Sequence, residues 1–234
     1  ELVELSLDDE VVKRVYGNFQ GISREFTGWW SFYIDGGVRD GKIDRAKMLK
    51  LAGANVWGSP CIGNYEYTSG GRVENECASG EAVRQKVAEM FGEHLELVSN
   101  DKLHSFCGDG MVYDVTNDEF YQSGIGCGGY YTDKLVRVLE EAEKEGDRMY
   151  IYERVAVFSD SLEYFRIGDE EILGEKIGEY TVPDYSTFQG PEDYNVWLEK
   201  NRNSLTLEYG DEFKWAFRLD EEGNYVFEGL EKVN

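Results

Sequence analysis

The residues with the strongest claim to chemistry are Gly124-Ile125-Gly126-Cys127-Gly128-Gly129, which satisfy G-x-G-x-x-G. In a dinucleotide fold such glycines let a pyrophosphate approach a helix N-terminus, and an acid further along holds the ribose. Here Glu119-Phe120-Tyr121-Gln122-Ser123 precedes the motif and Glu153 would be the acid. A Rossmann strand should be a buried apolar run, and this one carries Glu, Gln and Ser. The segment 134–142 also reads equally as helix or strand. If it is a strand, the 144–147 turn leads into 148–158 and the dinucleotide reading fails. A glycine-rich turn carrying a cysteine is the better account.

Other constellations fail on chemistry. Asp40-Gly41-Lys42-Ile43-Asp44 imitates the middle of a calcium loop. Aligning Gly41 with the invariant glycine puts Gly36 and Lys47 where ligands must stand, so this is no EF-hand. His104 and Cys107 have ligand-like spacing but lack the paired knuckles of a structural zinc site. No nucleophile elbow, zincin motif or P-loop is present, and neither His94 nor His104 is expected to be catalytic. Carboxylate pairs are guaranteed by chance among 47 acidic residues, and no pair stands out for glycoside hydrolysis. No catalytic residue, metal ligand or cofactor is expected.

The charge balance excludes further classes. With 24 Lys+Arg against 47 Asp+Glu, the formal charge is −23, and the basic residues are scattered. Phosphate backbones and anionic membrane surfaces would repel such a chain, so no nucleic acid is expected as a partner. No apolar run is long enough to span a bilayer. The chain opens on Glu1 without an initiator Met, and the expectation is that a signal or anchor preceded it.

Four cysteines, Cys61, Cys77, Cys107 and Cys127, allow three disulfide pairings. The sequence-neighbouring pairs Cys61–Cys77 and Cys107–Cys127 are favoured, each closing a glycine-rich loop and adding about 3 kcal/mol. Buried cytosolic thiols are the alternative. Disulfides place the protein outside the cytoplasm, extracellular or at the cell surface.

Elements that position these residues are read from periodicity. Residues 8–19 place Val11, Val12, Val15, Tyr16 and Phe19 on one helical face behind an acidic start. Asp44 caps a short helix over 44–52, and 80–91 form a helix stopped by Gly92. Between them, 53–80 read as loop. Segments 111–116 and 119–123 form a hairpin, 148–158 a long strand, and 191–201 a helix with Pro191 in its first turn. Phe213, Trp215, Phe217 and Leu219 alternate with polar or small neighbours, and 225–233 return as their partner strand. One domain over 1–234 is expected. Its class is α+β, with helices mainly in the N-terminal half and a curved, mainly antiparallel sheet in the C-terminal half.

The punctuation of the second half carries a resemblance. Gly126-Cys127-Gly128-Gly129, then Gly146-Asp147-Arg148-Met149-Tyr150-Ile151-Tyr152-Glu153, then the closing hairpin of Phe217-Arg218-Leu219-Asp220 with Gly223-Asn224-Tyr225-Val226-Phe227 and Glu231-Lys232-Val233, resembles uncharacterised extracytoplasmic domains of Gram-positive bacteria. That resemblance implies an outside location and a curved antiparallel sheet. It implies no activity and no functional residues.

The functional expectation is therefore a ligand- or partner-binding module with no assignable chemistry. A structural or assembly surface protein ranks second and a carboxylate-based hydrolase third. Trp29, Trp30, Tyr33, Tyr130 and Tyr131 are the candidates for stacking on a ligand if exposed.

Overall fold

The computed structural model describes residues 2–19, 33, 38–39, 42–65, 76–103, 110–123, 133–168 and 173–233. Its main sheet grows around one long strand. Arg148–Phe158 (β9) alternates Met149, Ile151, Glu153, Val155 and Val157, all 1% exposed or less, with a more polar opposite face. One edge of β9 pairs with Lys134–Glu145 (β8) across a turn in which Gly146 takes φ +65°, a conformation that favours glycine. Segment 134–142 is thus a strand, and the dinucleotide reading loses its helix.

The other edge of β9 has two partners in succession. Residues up to Val155 pair with Asp211–Leu219 (β12), and Val157 and Phe158 pair with Glu163–Ile167 (β10). The sheet therefore forks. Tyr225–Val233 (β13) extends one branch, Leu173–Glu179 (β11) extends the other, and Leu2–Glu4 (β1) closes the far edge of β8. A second sheet orders Ser59–Pro60 (β4), Glu76–Ser79 (β5), Glu119–Ser123 (β7) and Gly110–Asp114 (β6). Val38–Arg39 (β2) and Lys42–Ile43 (β3) form a small ribbon. Every pairing among the described strands is antiparallel.

Among the described residues, three helices cover one face of the main sheet. Glu10–Gly17 (α1) starts at Asp9, whose carboxylate accepts from the Val11 amide at 2.7 Å. Arg45–Val56 (α2) is capped by Asp44 as expected, accepting from the Lys47 amide. Gly80–Phe91 (α3) ends at Gly92 with φ +66°. A Cβ at Gly80 would stand 2.2 Å from Asp118 Oδ1, so the start of α3 requires glycine. Val12, Val15, Leu49, Leu51, Val83, Val87 and Met90 meet Ile151, Phe213, Trp215 and Phe217 in the main core. Each such side chain contributes on the order of 1.5–3 kcal/mol by leaving water. The opposite face carries a smaller core of Ala156, Phe158, Tyr164 and Tyr180, covered by Leu198 and Leu205 of Pro191–Tyr209 (α4).

The chain is α+β, but the expected division into a helical first half and a sheet second half is corrected. Strands β1 to β7 all lie before residue 124, and the longest described helix, α4, lies near the C-terminus. The hairpin of β6 and β7 was expected, but β1 to β5, of two to four residues, are too short for period two to show in sequence. Of α4, Thr206 alone is fully buried, so little amphipathic pattern marked its true length beyond residue 201.

Candidate functional site

Among the described residues three clusters of polar side chains stand out, and one of them is an open cleft. The first lies at the centre of the main core. Glu153 is fully buried in the apolar row of β9. Its Oε2 accepts from Tyr16 Oη at 2.6 Å and from Arg137 Nε at 2.8 Å. Its Oε1 accepts from Tyr33 Oη at 2.7 Å and Trp215 Nε1 at 2.5 Å. The Arg137 guanidinium donates also to the Phe19 carbonyl and lies over the rings of Tyr16 and Trp215, 4.7 and 5.2 Å from their centroids. Burial opposes the charge on Arg137, but Glu153 beside it overrides burial and holds the group above its ordinary value. Four donors satisfy the one carboxylate, so this box of side chains locks the core.

The box has a pH signature. Burial pushes the Tyr16 and Tyr33 phenols well above their ordinary value of 10.0; the charge of Arg137 opposes this and Glu153 reinforces it. In the unfolded chain they ionise near 10, so each contributes stability that is full below about pH 10 and lost as pH rises above it. Urea midpoints are expected to fall between about pH 9 and 11, with a shallower fall in Tyr16→Phe. A further rise in phenolate absorbance on unfolding, smaller in Tyr16→Phe, would confirm the cause. An identical slope in Tyr16→Phe would contradict it.

The second cluster fastens the 59–65 segment. Cys61 and Cys77 form a disulfide with Cα atoms 5.0 Å apart, the expected pairing. Glu119, 2% exposed, accepts from the amides of Ile62 at 2.9 Å and Gly63 at 2.7 Å. Tyr65 stacks flat on Tyr121 at 4.0 Å, its hydroxyl 2.7 Å from Asp114 and 2.9 Å from Glu119. Nearby, Arg84 grips Asp118 with two bonds, which holds that carboxyl below its ordinary value. These groups satisfy one another, so the cluster is a fastener.

The third is a cleft of about 430 Å³ between β8 and α4. Strand β8 contributes residues 134–137, of which Leu135 packs against the main core behind the cleft and Arg137 pairs with Glu153. Helix α4 contributes Asn195, Leu198, Glu199, Arg202 and Asn203, spaced i, i+3, i+4, i+7 and i+8 on one face. Arg202 is held in place: Nε and Nη2 donate to Tyr180 Oη at 3.3 and 2.9 Å, and the guanidinium lies 5.5 Å from the centroid of Phe158. A ring cluster steadies the start of α4, where Tyr185 and Phe188 pack on Tyr194 at 5.4 and 5.3 Å and Phe188 meets Trp197 at 5.8 Å. Among the described residues no carboxylate pairs with Lys134 or Arg202, and no cation pairs with Glu199. Asp133, next in sequence to Lys134, is held above the ordinary carboxylate value by burial and then by Asp160, but it does not line the cleft.

The residues singled out in sequence are distributed differently. Tyr33 is 5% exposed and belongs to the Glu153 box, where no ligand can stack on it. Trp29, Trp30, Tyr130 and Tyr131 lie outside the described residues, as do His104, Cys107, Cys127 and the Gly124–Gly129 motif. His94 is exposed after the end of α3. Glu153, the ribose acid of the dinucleotide reading, is the buried partner of Arg137. Among the described residues no group of three or more His, Cys, Asp or Glu side chains is placed to hold a metal, and no helix is long and apolar enough to cross a membrane. The cleft residues were missed because nothing local marks a Lys or Arg that lacks a carboxylate partner; only the tertiary arrangement reveals it. No family model, curated protein or solved structure matches the chain.

Proposed function

We propose that this chain is a non-catalytic binding module acting outside the cytoplasm, with the cleft between β8 and α4 as its ligand site. The observation that carries the reading is the set of unpaired charged side chains, Lys134, Glu199 and Arg202, gathered around an apolar floor in an open cavity. Its volume falls within the range of small-molecule sites, which combine apolar walls with a few placed polar groups. A two-carboxylate hydrolysis would need a second acid roughly 5 to 10 Å from the first. Among the residues lining the cleft, Glu199 is the one acid, which favours binding over hydrolysis. The Cys61–Cys77 disulfide supports an oxidising compartment, and the resemblance to extracytoplasmic domains agrees with it.

A thermal-shift screen of small polar metabolites tests the site, run on the unaltered chain and on Lys134→Glu. Lys134 is exposed, so the variant is expected to fold. The expected result is one or more compounds that raise Tm in the unaltered chain and not in the variant. Compounds that stabilise both equally, or none that stabilise either, would contradict the reading.

A further inference from the structure

We infer that the cleft selects a small zwitterion with an aliphatic body, the chemistry of a free α-amino acid, its carboxylate at Lys134 and Arg202 and its ammonium at Glu199. This inference rests on the cleft being the ligand site.

The first argument is the pairing the structure declines. Glu199 and Arg202 stand three residues apart on α4, the spacing at which opposite charges ordinarily meet. Arg202 instead turns both Nε and Nη2 to the Tyr180 hydroxyl and lies against Phe158. Glu199 is thereby left as an acceptor and Arg202 keeps its charge unneutralised. Lys134 adds a second cation from the facing strand. Both signs are presented to one space and neither cancels the other.

The second argument is the field of the whole chain. At a formal charge of −23, a ligand with net negative charge would be repelled on approach, two local cations notwithstanding. A ligand with only a positive charge would be drawn to acidic surface everywhere and would meet Lys134 and Arg202 at the cleft itself. A zwitterion carries no net charge, approaches without repulsion, and pairs with both signs once inside. The third argument is the lining between the charges. Val136 and Leu198, which share the smaller core on this face, offer an apolar wall for an aliphatic side chain, and Asn195 and Asn203 can donate to the carboxylate or accept from the ammonium.

Calorimetric titration of the whole chain with three probes of one shape tests this: L-leucine, isocaproate, which lacks the amine, and isoamylamine, which lacks the carboxylate. Leucine is expected to bind at least about fivefold more tightly than either monofunctional probe, the scale of one partly exposed ion pair. Glu199→Gln is expected to erase the preference for leucine over isocaproate, and Lys134→Gln to weaken leucine more than isoamylamine. Both positions are exposed, so these variants do not disturb the core. Isocaproate or isoamylamine binding as tightly as leucine would overturn the zwitterion while leaving the cleft as a site. Absence of binding by all three probes would overturn the inference, and the metabolite screen then decides whether the cleft binds anything else.

Discussion

Glu153→Gln is expected to lower the unfolding free energy by about 3 to 5 kcal/mol, the range seen when one member of a buried ion pair is removed. The loss has two parts. The charge opposite Arg137, whose side chain is 3% exposed, disappears and leaves a cation in the core. A Gln amide also places an NH₂ among four donors, from Tyr16, Tyr33, Trp215 and Arg137, where the carboxylate only accepted. Adding Arg137→Met should recover part of the loss, because the buried cation goes and the Tyr16 hydroxyl can rotate to accept from the amide. The double variant is therefore expected to be more stable than Glu153→Gln alone, a non-additive result that urea denaturation reads directly. A single variant within 1 kcal/mol of the unaltered chain, on the order of an ordinary surface substitution, would refute the assignment of Glu153 as the lock of the core.

Removing the Cys61–Cys77 bond is the second large effect. The bridge spans 16 residues, for which loop-closure entropy predicts about 3 kcal/mol. Cys61→Ser with Cys77→Ala makes the test clean, because Cys77 is 1% exposed and a serine there would bury an extra hydroxyl. The effect should be smaller than in a free loop, since Glu119 already holds the Ile62 and Gly63 amides and Tyr65 stacks on Tyr121. A loss of about 2 to 3 kcal/mol is expected, read by urea denaturation of the double variant. If the bridge alone orders the segment, the loss would exceed this and the Tyr65–Tyr121 stack would melt with it.

Local chemistry made much of the fold legible. The caps at Asp9 and Asp44, the stop at Gly92, the alternation of Phe213, Trp215 and Phe217 and the hairpin around Asp118 all announce themselves within a few residues. What stayed hidden depends on distant partners. Leu2–Glu4 becomes a strand only because Glu143 to Glu145 lie alongside it. Segment 134–142 was ambiguous because its apolar residues fit either period, and pairing with β9 decides for strand. Tyr33, read as a stacking residue, is drawn into the core by a carboxylate 120 positions away. The cleft was invisible for the same reason, since β8 and the far face of α4 meet only in the folded chain.

The most direct test of the central claim is amide chemical-shift mapping of the whole chain titrated with L-leucine. The account predicts saturable shifts concentrated at residues 134–136 of β8 and 195–203 of α4, with the β9 and β12 amides around the Glu153 box unmoved. Shifts confined to other surfaces, or none at concentrations that saturate the calorimetric titration, would contradict it and show that leucine does not bind in the cleft.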